Sequence, residues 1–371
     1  MAGIYNGNSK KGEKKLKDLI MFIMSYLLSG IFLYFYLKMD KQKRVLKNIL
    51  LIISASFPIL LLGLRYNVGT DYNNYVQHYY MYGKLSLFEY LSRSTEILGY
   101  IIIKIASYIN DNPQTMFMIY AILTVGFIYK GILSSKNNNK IIMIYIYLFV
   151  YFSFAYNGVR QGLAVAIIFY AYSEMFYKDK KIKPMLLCIM AILTHNSSII
   201  LLPIFIINCF YGKSSLIKFR IIIYIYILSI VFFWEIIISN LLDEYSKYYS
   251  DGQISLGVGL FIQKIPLILF VLACRKQLNR NNENNIICSM FLILEIMTAY
   301  MGYISPAMAR IAMYFSISKI YLISNIIDII ELKYKRGIKV GILAYIIVYF
   351  TLEFYIKGYH QIFPYSYRFL Q

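Results

Sequence analysis

Long apolar runs recur along this chain, and they restrict its fold more than any other feature of the sequence. A helix needs about 20 mostly apolar residues to cross the hydrocarbon core of a bilayer. The chain has 371 residues, of which 59% are hydrophobic and 15% are charged. Soluble proteins carry about 25% charged residues, so this composition is typical of an integral membrane protein. We predict an all-α polytopic membrane protein with about 11–13 membrane helices.

The apolar runs locate the predicted membrane helices. They lie at residues 19–37, 48–64, 115–133, 141–156, 161–177, 184–195, 197–211, 220–239, 256–273, 286–305, 310–330 and 338–356. The pair 184–195 and 197–211 has basic residues at both ends, which predicts a broken, re-entrant or thin hairpin that turns back near His195. The run 97–109 reaches only about 20 Å as a helix and carries Lys104, so we expect it to lie in the membrane interface.

The basic residues indicate which connections face the cytoplasm. The formal charge is +20, but the lysines and arginines occur in short clusters between apolar runs. This pattern is typical of the positive-inside bias and argues against nucleic-acid binding. With these clusters inside, the loops 65–95 and 240–255 fall on the outer face of a single transmembrane domain, residues 19–356. A basic segment 1–18, whose lysines oppose this threading, precedes the domain, and a tail 357–371 follows it.

Four polar patches also fall on the predicted outer face. They contain Arg65, Asp71 and Tyr75; Asn157, Arg160 and Gln161; His195 and Asn196; and Arg310 and Tyr314. Arginine stays charged and binds phosphate oxygens through a bidentate fork of donors. Three arginines on one face therefore predict a site for a lipid-linked diphosphate, whose charge they could stabilise without a metal or a cofactor. His195 or Asp71 could take the proton from an attacking sugar hydroxyl.

Several of these residues also have structural interpretations. Arg65 and Arg310 lie at span ends and could extend to lipid headgroups. Asp71 could cap a helix, and His195 could be a hydrogen-bonded residue at the hairpin turn. Arg160 is harder to explain this way, because polar neighbours accompany it between two apolar runs. Acidic residues within predicted spans could pair with basic groups or mark another function; they are Glu174, Glu235, Glu295 and Glu353.

Short motifs follow one another in a recognisable order from about residue 65 to 365. They are Arg65 with Val68-Gly69-Thr70-Asp71-Tyr72 and Tyr75; Glu96 with Gly99-Tyr100; Asn157-Gly158-Val159-Arg160-Gln161-Gly162-Leu163-Ala164; His195-Asn196-Ser197-Ser198 ahead of Pro203; Arg310 with Tyr314; and Pro364-Tyr365. In these motifs the chain resembles the EpsG family of bacterial exopolysaccharide proteins, a branch of the Wzy-type polysaccharide polymerases.

This resemblance implies a GT-C-like enzyme at the outer face of the bacterial cytoplasmic membrane. It would transfer a growing glycan from one undecaprenyl diphosphate to the next lipid-linked repeat unit, with arginines 65, 160 and 310 holding the diphosphates. The expected partners are the undecaprenyl-diphosphate-linked glycan and membrane lipid, together with a flippase and a chain-length regulator. Within this scheme Arg160, His195 and Asp71 are the candidate catalytic residues, and the other polar residues of the four patches would bind substrate.

Three other activities remain open. An O-antigen-ligase-like transferase would use the same site with a different acceptor, although such enzymes usually have a larger late outer loop than residues 240–255. A transporter or flippase of a lipid-linked glycan would distribute polar groups through the depth of the bundle. A membrane acyltransferase would use His195 and depend on acyl-CoA.

Overall fold

The computed structural model describes residues 2–178, 180–211, 258–274, 283–302 and 306–368, together with residues 221, 224, 225, 228 and 278. The α-helices in these ranges are α1 (Ala2–Lys38), α2 (Arg44–Gly63), α3 (Tyr72–Tyr82), α4 (Leu87–Leu91), α5 (Ile97–Ile109), α6 (Pro113–Ser134), α7 (Lys140–Ile146), α8 (Val159–Lys178), α9 (Ile182–Thr194), α10 (Leu202–Tyr211), α11 (Val258–Ala273), α12 (Glu283–Met301), α13 (Pro306–Ser316), α14 (Lys319–Ile329) and α15 (Leu332–Phe350). The predicted span 220–239 and loop 240–255 lie outside the described residues, apart from the isolated positions named above.

Several described helices are long and apolar enough to cross a membrane. They are Gly12–Lys38, Arg44–Gly63, Pro113–Ser134, Asn284–Met301 and Leu332–Ile356. Shorter apolar helices occur at Ile97–Ile109, Lys140–Tyr156, Ile182–Thr194 and Asn196–Phe210. The predicted fold class is therefore confirmed, because the chain is an all-α, multi-pass membrane protein.

The chain divides into two compact units. Unit 1 comprises Met1–Ile132, Lys140–Ala166 and Arg336–Gln371, and unit 2 comprises Leu133–Asn139 and Ile167–Lys335. Unit 1 contains the patches around Arg65 and Arg160, whereas unit 2 contains those around His195 and Arg310. Each unit is described below by itself.

Helix α1 forms part of the aromatic core of unit 1. Its Tyr26 ring lies 5.1 Å from that of Phe149 and 5.6 Å from that of Phe350, both edge to face. One turn earlier, the Phe22 ring lies 5.1 Å from that of Phe363. Edge-to-face pairs contribute about 0.5–1.5 kcal/mol each beyond their buried area. These contacts attach α1 firmly to segments that come much later in the sequence.

The helix that begins as α7 changes its winding before the second polar patch. It continues as a π-helix over Tyr147–Tyr151 and as a 3-10 helix over Phe152–Tyr156. Both forms leave the regular i to i+4 backbone bonding, and they are common where a helix meets a functional segment. The sequence predicted this stretch as a single span, because the apolar run itself contains no signal for a change of winding.

The C-terminal tail returns to the start of the first polar patch. Arg65 and Tyr367 form an isolated antiparallel bridge. Next to this bridge, Arg368 N donates to Leu64 O at 2.8 Å. The tail is thus packed on the end of α2 in unit 1.

In unit 2 the predicted broken hairpin is confirmed. Helix α9 ends at Thr194, His195 is extended (φ −156°, ψ 118°), and a 3-10 turn follows over Asn196–Leu201. The amide of Asn208 on α10 then donates to Lys180 O, just before α9, at 3.3 Å. The chain therefore turns back at His195, as its polar sequence indicated.

The predicted span 310–330 is two helices in the structure, which corrects the single helix expected from its length. Helix α13 ends at Ser316 and α14 begins at Lys319. Between them, Ser318 Oγ donates to Phe315 O at 2.7 Å. Serine hydroxyls compete for backbone carbonyls in this way and weaken regular helices. The length of an apolar run predicts a membrane span, but it does not show where a helix within that run is interrupted.

Candidate functional site

Arg65 lies at the centre of the polar cluster in unit 1. Its side chain is 0% exposed, and its Cζ lies 4.7 Å from the ring centre of Phe117 and 5.2 Å from that of Tyr156. Nη1 donates to Ala155 O at 3.2 Å. Nε and Nη2 are buried and have no hydrogen-bond partner among the residues that the structure describes. Burial lowers the pKa of Arg65 to about 10. The alternative that Arg65 extends to lipid headgroups is therefore wrong.

Asn157 joins the first two patches to the tail. Its Oδ1 accepts from Thr70 N at 2.8 Å, which identifies the other amide atom as the Nδ2 donor. Nδ2 lies 2.8 Å from His360 Nδ1 and donates to it. That ring nitrogen must then carry no proton, so His360 is neutral. Burial lowers the pKa of His360 to about 4, in agreement with this assignment.

Gly69 allows the first patch to approach the second closely. Its φ is +95°, in the region that favours glycine. A Cβ at this position would lie 2.6 Å from Tyr156 O and 2.8 Å from Asn157 Oδ1. The glycine of the Val68-Gly69-Thr70-Asp71-Tyr72 motif is therefore required by backbone geometry and by the contact with the opposite motif.

Arg160 forms an ion pair with Glu96. Arg160 is the second residue of α8, and its Nη1 donates to Glu96 Oε2. The side chains are 17% and 1% exposed, respectively. Tyr90 Oη donates to the backbone oxygen of Glu96 at 3.2 Å, which helps to fix the position of the acid. A buried carboxylate needs such a partner, because an unpaired charge would be costly to remove from water.

Tyr75 lies among the charged residues of this cluster. Its Oη accepts from Val159 N at 3.1 Å and so satisfies one of the free amides at the start of α8. Burial raises the pKa of the Tyr75 phenol, and the charges of Arg160, Asp71 and Glu96 also act on it. Asp71 lies in a turn at the N-cap position of α3, as its structural interpretation expected, but its side chain makes no cap bond there. Unit 1 thus brings Asp71, Tyr75 and Arg160 together.

Unit 2 brings the third and fourth patches together. Ser197 Oγ and Tyr314 Oη are 2.9 Å apart, and Tyr314 is 0% exposed. His195 is 6% exposed, and its backbone oxygen accepts from Ser198 Oγ at 2.9 Å. Arg310 lies one turn before Tyr314 on α13 and is half-buried. The segment that follows His195 therefore packs against α13.

Two residues of the predicted set remain: Gln161 is 3% exposed on α8 in unit 1, and Asn196 is half-buried at the start of the 3-10 turn in unit 2. Three residues near the cluster were not among the predicted site residues: Glu96, His78 and His360. Glu96 directly precedes a short apolar helix, and an acid that is buried at such a position needs a basic partner. The composition of the C-terminal tail contains no comparable signal that would have predicted His360 near this cluster.

The acidic residues within predicted spans pair with lysines wherever the structure describes them. Glu174 pairs with Lys178 at 2.9 Å, Glu295 with Lys319 at 2.7 Å, and Glu353 with Lys357 at 2.6 Å. Glu235 lies outside the described residues. The interpretation of these three acids as partners of basic groups is confirmed.

No group of three or more metal-ligating side chains that could hold a metal ion occurs within the described part of the chain. In a comparison with protein families, the model described as "EpsG family" matches residues 48–367. Comparison with curated proteins and with solved structures gives no match. The matched residues include all four patches and the tail up to Tyr367, whereas α1 lies before them.

Proposed function

The chain belongs to the EpsG family, whose members are Wzy-type polymerases and other proteins of exopolysaccharide biosynthesis, and from this membership we propose the following reaction. The protein is a glycosyltransferase that joins oligosaccharide repeat units carried on undecaprenyl diphosphate. It acts at the outer face of the bacterial cytoplasmic membrane. The growing glycan on one lipid diphosphate is the donor, and a hydroxyl of a second lipid-linked unit is the acceptor.

The Arg160–Glu96 pair is the observation that carries this proposal. Arg160 uses Nη1 for Glu96, retains a partly exposed side chain, and has a buried Nε without a partner among the described residues. It also lies in the first turn of α8, where free backbone amides favour negative charge. A cation at this end of a helix is unfavourable by itself, and a bound diphosphate would offset that cost. Arg160 is therefore the residue assigned to the diphosphate.

The reaction needs charge stabilisation more than it needs a proton donor. The acceptor oxygen forms a bond to the anomeric carbon while the bond from that carbon to the phosphate oxygen breaks. Undecaprenyl diphosphate leaves with the bonding electron pair, and its new charge is stabilised by Arg160. The acceptor hydroxyl loses its proton to a base. Asp71 is assigned this role in unit 1 because it lies one turn before Tyr75, whose backbone N donates to Asp71 O at 3.1 Å, and because its side chain makes no cap bond.

For Arg65 we propose a structural role in place of the predicted contact with the diphosphate. Its guanidinium lies between the rings of Phe117 and Tyr156 and is fully buried. A cation held against two aromatic faces gains about 0.5–2 kcal/mol from each, more when it is removed from water. We assign Arg65 to holding Ala155, and with it the segment before Asn157, in place.

The experiment is elongation by the purified full-length protein in detergent, where no compartments exist. Lipid-linked repeat units from a producing strain are supplied, and product length is measured on gels. Wild type is expected to lengthen the glycan, and Arg160→Ala to lose at least about 100-fold in rate. The control is Arg93→Ala, which removes an exposed arginine after α4. Absence of elongation by well-folded wild type would favour transport instead, and full activity of Arg160→Ala would exclude its assigned role.

A further inference from the structure

A cavity of unit 1 lies along helix α3 and is not lined by Arg160. It has a volume of about 450 Å³ and is open to the outside. Such a volume is within the range of about 300–1,000 Å³ found for small-molecule sites. Tyr72, Val76 and Tyr80, which follow one another at intervals of four on α3, all line it. Residues at this spacing share one face of a helix, so the cavity runs along one face of α3.

Aromatic rings form one wall of the cavity. The rings of Tyr66 and Tyr72 meet edge to face with centres 6.0 Å apart, and Arg368 Cζ lies 5.4 Å from the centre of Tyr66. Tyr72 in turn is stacked on Phe117 at 4.9 Å. The Tyr66 side chain is 43% exposed, although it is held by two neighbours. A fixed, accessible ring offers an apolar face with a polar hydroxyl at its edge.

The rest of the lining is polar and carries balanced charge. It contains Asn73, Asn112, Asp111 and Arg368. Among the lining residues in the described part of the chain, the single acid and the single base cancel, and there is no lysine. Amide and carboxylate groups supply both donors and acceptors for neighbouring hydroxyls. The lining therefore suits a neutral ligand with many hydroxyls better than a phosphate, which would require an excess of positive charge.

The pyranose ring of a sugar has these properties, since it has an apolar face of C–H groups and a rim of hydroxyls. We infer that this cavity is a subsite for an uncharged sugar residue of the glycan, with the ring of Tyr66 against its C–H face and Asn73 at its hydroxyls. This inference rests on the proposed polymerase function, because it assigns the carbohydrate part of the same lipid-linked substrate. The diphosphate is then held by Arg160 and the sugar by residues of this cavity.

The test measures binding of sugar without the lipid or the diphosphate. The probe is the oligosaccharide repeat unit released by mild acid from the polysaccharide of a producing strain, and its binding to the full-length protein in detergent is followed by equilibrium dialysis. Tyr66→Ala and Asn73→Ala should each weaken binding about 10-fold, equivalent to about 1.4 kcal/mol. The matched control is Tyr108→Ala, which removes a tyrosine that is 85% exposed on α5 and does not line the cavity. Equal binding by wild type and both cavity variants would overturn the inference.

Two further measurements distinguish this subsite from its rivals. Inorganic diphosphate should not displace the probe, and displacement would show an anion site instead. Arg160→Ala should bind the probe like wild type while losing elongation. If wild type binds the probe in a Tyr66-dependent way but does not elongate glycan, the subsite stands and the polymerase proposal fails. If wild type elongates normally and both cavity variants elongate and bind equally well, the subsite fails and the polymerase proposal stands.

Discussion

The carboxylate of Glu96 and the guanidinium of Arg160 form an ion pair across 64 positions of sequence. Glu96 is almost completely buried, whereas Arg160 keeps part of its surface exposed. The acid therefore fixes Nη1 of the arginine from its buried side. This arrangement makes Glu96 a positioning residue in the proposed reaction and Arg160 the group that contacts substrate.

Glu96→Gln should slow glycan elongation on the order of 100-fold, because a misplaced binding group costs about that factor even when it is still present. The measurement is the elongation rate at saturating lipid-linked substrate. Glu89→Gln is the control, since Glu89 is an exposed acid on the neighbouring α4 and glutamine can replace it in the capping box. An unchanged rate for Glu96→Gln would contradict the positioning role.

Arg65→Ala should reduce the free energy of unfolding by about 2–4 kcal/mol, because it leaves a cavity between Phe117 and Tyr156. Arg65→Met should recover much of that loss, since an apolar side chain of similar volume often replaces a buried charge at little cost. Thermal unfolding in detergent would measure both. If Arg65→Met were as stable as wild type but had no elongation activity, the purely structural assignment would be wrong.

Tyr314→Phe and Ser197→Ala should each destabilise the protein by about 1–3 kcal/mol, because each leaves a buried hydroxyl without this partner. The double variant should cost less than the sum of the two single variants, as expected for groups in contact. Additive losses in thermal unfolding would indicate that the 2.9 Å contact contributes no coupling.

The stability of the protein should decrease as pH falls from about 6.5 to about 4, owing to the lowered pKa of His360. In this window the unfolded chain binds a proton at His360 that the folded chain does not bind. The free energy of unfolding therefore decreases as the pH decreases. The contribution is fully present above pH 6.5 and amounts to at most about 3 kcal/mol.

The test for His360 is the pH dependence of thermal unfolding in wild type and in His360→Asn. Asparagine tolerates the positive φ of 64° at this position and offers an acceptor near the place of Nδ1. The variant should show a shallower slope between about pH 4 and 6.5. Identical slopes would assign the pH dependence to other groups.

Much of the helical architecture could be predicted from local sequence. The run 97–109 is a helix over the same residues, and the expected 48–64 is Arg44–Gly63 in the structure. The turn at His195 was also predictable, because basic residues at both ends of a short, interrupted apolar run indicate that the chain turns back within it. Apolar length and polar interruption are properties of neighbouring residues, so a single sequence contains both.

The partners of the site residues could not be predicted in the same way. The contacts of Asn157 with Thr70 and His360 span 87 and 203 positions, and nothing near Asn157 specifies either of them. A contact between distant segments depends on how the whole chain packs, which local patterns do not encode.

The different environments of Arg65 and Arg160 could not be predicted from the sequence, for the same reason. The burial of Arg65 depends on the rings of Phe117 and Tyr156, which look like ordinary apolar residues in their own helices. Motif spacing selects both Arg65 and Arg160 as candidates. Only their long-range contacts separate Arg160, with its partly exposed side chain, from the buried Arg65.

The position of His360 has a consequence for biosynthesis. The ribosome makes Asn157 203 residues before His360, and the bridge between Arg65 and Tyr367 joins segments that are made at even more distant times. One side of the cluster therefore stays uncovered by the tail until the tail has been translated. The cluster around Asn157 in unit 1 is therefore completed only after the segment that contains His360 has been translated.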